Sequence, residues 1–117
     1  MKQPISMIRG TTQPINIIVR DPAGAIYQLT DGEVLRFGMK KRPEDPESEC
    51  LVKKELTIEH LDGDFYVLTL LPSDTKDLPF GTYYYDVGLQ SGNNYYNVIE
   101  CSEFKIGYNI TLPEVTS

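Results

Sequence analysis

The chain of 117 residues contains no tryptophan, one histidine and two cysteines, and no apolar run approaches the ~20 residues of a membrane-spanning helix. Each scarcity excludes a class of chemistry. His60 is the sole histidine, so a Ser-His-Asp or Cys-His relay would depend on it alone, and its place in a predicted exposed turn speaks against a catalytic centre. Cys50 and Cys101 stand too far apart in sequence for a zinc motif, and neither falls where a sandwich disulfide belongs, so both are expected as free thiols. Met1 to Ser6 is not followed by the apolar block of a signal peptide, which leads us to expect cytoplasmic synthesis without a membrane anchor. Basic charge is also scarce. With 17 acidic and 11 basic residues the net charge is -6, and nucleic acid is not an expected partner because phosphate binding needs clustered Lys and Arg. The short basic runs at Lys40-Lys41-Arg42 and Lys53-Lys54 are each followed by acidic residues. Asp62-Gly63-Asp64 lacks the regularly offset oxygen ligands of a calcium loop and reads as a hairpin turn; no metal and no cofactor are expected.

What the chain has in abundance is short alternating runs separated by turn residues. Leu70-Leu71-Pro72 ends one run, Ser73 to Asp77 is predicted to form a single helical turn, and Pro79 and Gly81 re-aim the backbone before Thr82. Tyr83, Tyr85, Val87 and Leu89 then alternate with Tyr84, Asp86, Gly88 and Gln90, the period of two that sends side chains to opposite faces of a strand. Tyr83, two residues past Gly81 and four past Pro79, stands where a β-sandwich keeps a tyrosine corner, with its hydroxyl bonded to backbone a few residues upstream.

Earlier in the chain, Ile5 to Arg9 is expected as an edge strand, and Ile15, Ile17 and Val19 as the buried face of a second. Asp21-Pro22-Ala23-Gly24 is a tight turn leading to a short return strand over 25–29. Leu35, Phe37 and Met39 mark the core face of the next strand. The acidic run Glu44 to Glu49, containing Pro46, reads as an exposed loop. Leu51 to Glu59 is expected as a strand burying Val52, Leu56 and Ile58, with Lys54 out of place in the same register. His60 to Gly63 turns into Asp64–Leu71, which is apolar on both faces and therefore either central or covered outside. A hairpin at Ser91–Asn94 joins the tyrosine strand to Tyr95–Cys101, and Glu103 to Ile106 closes the sheet. The expected architecture is all-β, an immunoglobulin-like antiparallel β-sandwich of seven to nine strands over residues 1–106, with 107–117 as a departing tail.

Eight tyrosines are the most distinctive composition. Tyr84 is expected to share a solvent face with Tyr95 or Tyr96 across the Ser91–Asn94 hairpin, and Phe65 with Val67 to form a second exposed apolar set if Tyr66 and Leu68 face inward. Tyrosine favours protein interfaces because it joins a large apolar body to a polar tip, so Tyr84, Tyr95, Tyr96, Phe65 and Val67 are the candidate partner-binding residues.

Arg9-Gly10-Thr11-Thr12 with Ile15 to Asp21, Leu35 to Lys41, and above all Leu78-Pro79-Phe80-Gly81-Thr82-Tyr83-Tyr84-Tyr85-Asp86-Val87 resemble the immunoglobulin-like domain that opens the baseplate upper protein of tailed phages. The resemblance spans Arg9 to about Ile106 and is most specific at Leu-Pro-x-Gly-x-Tyr-x-Tyr-Asp. It departs where the family often has Asp at the position of Thr11, and Thr-Pro-Glu-Asp where Leu71-Pro72-Ser73-Asp74 stands, which removes a capping hydroxyl. No helical stalk pattern follows residue 106. The resemblance implies a non-catalytic phage or prophage tail structural module, made in the cytoplasm and assembled into the virion, with other phage tail or baseplate proteins, or itself, as partners. A carbohydrate-binding or adhesion sandwich is the alternative, since exposed tyrosines also stack on sugar rings.

Overall fold

A computed structural model describes residues 3–107, and the protein is an all-β sandwich. Eight strands form two sheets: β1 (Ile5–Ile8), β2 (Gln13–Ile17), β3 (Glu33–Lys40), β4 (Val52–Leu56), β5 (Leu61–Asp62), β6 (Phe65–Leu70), β7 (Gly81–Ser91) and β8 (Asn94–Gly107). The larger sheet runs β1-β8-β7-β3-β4 and the smaller β2-β6-β5. All pairings are antiparallel except β1 with β8, which run parallel from Ile5 opposite Phe104 to Ile8 opposite Gly107.

The core follows from the period-two alternation. Ile15 and Ile17 of β2, Leu35, Phe37 and Met39 of β3, Tyr66, Leu68 and Leu70 of β6, and Tyr83, Tyr85, Val87 and Leu89 of β7 all turn inward and are buried. Tyr85 anchors an aromatic cluster, 5.4 Å from the Phe37 ring centroid and 5.8 Å from that of Phe104, the latter edge-on. Such ring pairs contribute about 0.5–1.5 kcal/mol each beyond their buried area. β6 is the central strand of its sheet; Tyr66, Leu68 and Leu70 face the core, while Phe65, Val67 and Thr69 lie on its partly exposed outer face.

The corner before β7 is built from the stretches that stand out in the sequence. Pro72–Thr75 forms the one-turn helix α1. Leu71 in the cap position offers no side-chain acceptor, and the Asp74 carboxylate instead accepts the Leu71 N–H at 2.8 Å. Gly81 takes φ +144°, a conformation that side-chain-bearing residues rarely adopt, and this swings Tyr83 inward. The Tyr83 hydroxyl then donates to the Pro79 carbonyl at 2.6 Å, the upstream backbone bond of a tyrosine corner. Buried Thr75 accepts the Gly10 N–H at 2.9 Å, and the Arg9 guanidinium lies 4.1 Å from the Phe80 ring centroid. The β1–β2 turn and the corner are thus one packed unit.

Several sequence expectations are corrected. Residues 25–29 form no strand: a single bridge joins Arg20 to Ile26, because Asp21 ties the turn to itself by accepting the N–H groups of Ala23 and Ala25. β4 stops at Leu56, and Ile58 is 40% exposed in a 3-10 turn over Ile58–His60 rather than in the core. His60 belongs to that turn, where Nδ1 accepts the Thr57 N–H at 3.0 Å; the hairpin proper joins β5 to β6 through Gly63 and Asp64. Lys54 does lie in the inward register, opposite Phe37, and reaches Asp74 Oδ2 at 3.0 Å at the end of the sandwich. Tyr95–Cys101 and Glu103–Ile106 are one continuous strand, β8, which also includes Gly107. The remainder of the expected tail, 108–117, lies outside the described residues.

Candidate functional site

The outer face of the larger sheet carries the candidate site. Asp86 on β7 stands opposite Gly38 on β3, and Tyr84 opposite Lys40. The β7–β8 pairing brings Tyr95 opposite Gln90 and Tyr96 opposite Leu89. Leu89 faces the core and Gln90 does not, so Tyr95 joins Tyr84 on the outer face while Tyr96 goes to the other side of β8. Two irregularities in β8 set this phase. Between Tyr85–Ser102 and Val87–Ile99 the register slips by one residue, and between Val87–Ile99 and Gly88–Asn97 by another. The first slip leaves Glu100 and Cys101 exposed side by side, so Cys101 lies within the strand at a bulge rather than near its end.

Two glycines make the hollow. A side chain at Gly88 would meet the Tyr95 ring at 2.1 Å, so the ring lies across the bare backbone of β7. At Gly38 a side chain would come 3.4 Å from the Cys50 sulfur. The resulting depression, about 220 Å³, is lined by Asp86, Tyr84, Tyr95, Lys40, Cys50 and Cys101, with Asp86 still exposed to solvent. Partial enclosure there pushes the Asp86 carboxyl above its ordinary range, Lys40 opposing and Glu47 reinforcing the shift. The Tyr95 hydroxyl is pushed up by the same enclosure and then by Asp86. Lys40 and Lys53 both approach Glu47, at 3.7 and 3.2 Å, and this pairing holds the Glu47 carboxyl below its usual value, Lys53 first. These exposed pairs orient the acidic loop more than they stabilise it.

Cys50 and Cys101 therefore share one hollow without being bonded. They flank β7, Cys50 over β3 and Cys101 on β8. Two inter-strand spacings separate those strands, about 9–10 Å, beyond the ~7 Å that a disulfide bridges.

The other candidate residues lie elsewhere. Phe65 is 37% exposed and Val67 half-buried on the outer face of the smaller sheet, with Tyr66 and Leu68 turned inward. Tyr96 overhangs an open groove between the sheets, beside Tyr27 and Glu33. Sequence reading passed over Glu33. Only 8% exposed, it accepts the Thr30 N–H, the Thr30 hydroxyl and the Tyr27 hydroxyl, each at 2.8 Å, which pulls its carboxyl down to about 2. A Glu three residues after Thr, across Asp31-Gly32, was the available signal for this locked turn. Among the described residues no group of three or more His, Cys, Asp or Glu is placed to hold a metal ion, and no helix is long and apolar enough to cross a membrane. Neither a protein-family model, nor a curated protein, nor a solved structure matches this chain.

Proposed function

We propose that the chain is a non-catalytic docking module of a phage or prophage tail, an immunoglobulin-like sandwich that holds other virion proteins through the outer face of its larger sheet. The observation that carries this reading is the convergence of Tyr84 and Tyr95 around Asp86 on a face hollowed by Gly38 and Gly88. Tyrosines beside an exposed acidic group supply an anchor with both apolar area and a polar contact, the composition of an interface centre. Support for the immunoglobulin-like class comes from the parallel β1–β8 pairing, the five-plus-three division of strands and the Tyr83–Pro79 bond. Support for the tail assignment comes from the resemblance of Arg9–Thr12 and Leu78–Val87, two stretches that pack on each other through Arg9 and Phe80.

The test is co-expression with the proteins encoded by the neighbouring genes, which this reading expects to include tail proteins. The wild-type chain is expected to co-purify with one of them in fixed ratio, and Tyr84→Glu, a half-exposed position, to lose that partner while keeping its melting temperature. Co-purification that is indifferent to Tyr84→Glu would place the contact on another face. A tyrosine ring laid open beside a carboxylate is also suited to a sugar ring, which supports the carbohydrate-binding alternative; glycan-array binding by a chain that captures no tail protein would favour it.

A further inference from the structure

β4 ends the larger sheet. It pairs with β3 on one side, and among the described residues no strand borders its other side. An edge of this kind presents backbone N–H and C=O groups to any strand that matches it. β4 reads Val52-Lys53-Lys54-Glu55-Leu56: Val52 and Leu56 are buried, Lys54 shares their inward register, and Lys53 and Glu55 stand exposed on the outer face. Apolar side chains are exposed at both ends, Leu51 (43%) directly before the strand and Ile58 (40%) two residues after it.

This strand is complementary to itself. Two antiparallel copies keep inward residues beside inward ones only in registers centred on a residue. Centring on Lys53 or on Glu55 sets that outward charge against its own counterpart, which is unfavourable. Centring on Lys54 sets Lys53 of each copy opposite Glu55 of the other and Val52 opposite Leu56, and carries Leu51 toward Thr57 and Ile58 of the second copy. The outward charges then alternate in sign across the seam. Within one copy Arg36 reaches Glu55 at 3.3 Å, while Lys53 and Lys40 reach Glu47 at 3.2 and 3.7 Å. Joining Glu55 of one copy to Lys53 of the other extends these pairs into the row Arg36, Glu55, Lys53, Glu47, Lys40. An inward lysine on an edge strand ordinarily discourages pairing. Here Asp74 Oδ2 compensates Lys54 at 3.0 Å within each copy and draws it toward α1. The chain as a whole carries -6, whereas this edge holds its charges in balanced pairs, so two copies meet here with the least repulsion.

We propose that β4 pairs with β4 of a second copy, antiparallel about Lys54, joining the two larger sheets into one continuous sheet. The same patch serves both copies, so the contact is isologous and closes at the dimer. It uses neither Tyr84 nor Tyr95 and does not depend on the proposed tail function.

Sedimentation of the full chain is expected to show the 13.3 kDa monomer in exchange with a species of twice that mass and none larger. Lys53→Glu and Glu55→Lys, both at exposed positions, should each keep the wild-type circular dichroism spectrum and weaken the dimer at least about tenfold, because each sets like charges opposite one another at both outward pairs. An equimolar mixture of the two variants should dimerise again, since one then carries acid and the other base at both positions. A wild-type chain that stays monomeric at millimolar concentration, single variants that dimerise as well as the wild type, a mixture that stays monomeric, or species larger than the dimer would each overturn the proposal. Tyr84→Glu should leave the dimer intact, so loss of tail-protein capture and loss of self-association are read separately.

Discussion

Individual side chains in this protein are legible mainly through their hydrogen bonds. Tyr83 and Tyr84 are neighbours of the same type, yet one is 1% exposed with its hydroxyl on the Pro79 carbonyl and the other lies on the outer face. Tyr83→Phe is expected to cost about 1–2 kcal/mol in urea unfolding and Tyr84→Phe almost nothing; equal midpoints would remove the corner from the account of stability. Glu33 supplies a second expectation. Its folded-state pKa, about 2, lies below the ordinary 4.5, so its contribution is present above pH 4.5 and is lost as pH falls toward 2. Thermal melts between pH 5 and 2 should show this loss, and Glu33→Gln should flatten that part of the curve. The signal for Tyr83 was local, a Pro-x-Gly-x-Tyr spacing. Lys54 was different: its partner Asp74 is twenty residues away on α1, and no local pattern explains a lysine in an inward register.

At the level of the element, alternation located the long strands, and it also suggested one strand, over 25–29, that the backbone does not form. β3 and β7 carry clean period-two patterns and stand close to where the sequence places them. The 25–29 segment, with Ala25, Tyr27 and Leu29 in alternation, was misread because its backbone is engaged by the Asp21 turn and by the Tyr66 hydroxyl, which accepts the Leu29 N–H and donates to the Tyr27 carbonyl. The β7–β8 pair depends on Gly88. Alanine there is expected to leave the fold intact, because the clash is with the far end of an exposed tyrosine, and to lift the Tyr95 ring from β7. The ring-proton shifts of Tyr95 should move toward solvent values while the melting point changes by less than about 1 kcal/mol equivalent. Unchanged Tyr95 shifts would show that the ring does not rest on Gly88.

For the whole molecule, the placement of Cys50 and Cys101 on either side of β7 gives a direct check of the strand order. Thiol titration of freshly unfolded protein without reductant should count two, and reductant should leave the melting temperature unchanged. A count of zero would show both cysteines bonded and contradict their assignment as free thiols. The sequence by itself determined the all-β class, most of the buried set and the corner at Tyr83, because each depends on neighbours within a few residues: alternation, turn chemistry and a glycine at positive φ. Tertiary structure alone decided that Tyr95 and not Tyr96 joins Tyr84, that two distant cysteines share a hollow, and that a groove lies open between β2 and β8. Those outcomes depend on strand order and on two register slips in β8, and a slip of one residue reverses the face of every side chain beyond it without leaving a mark in the period of the sequence.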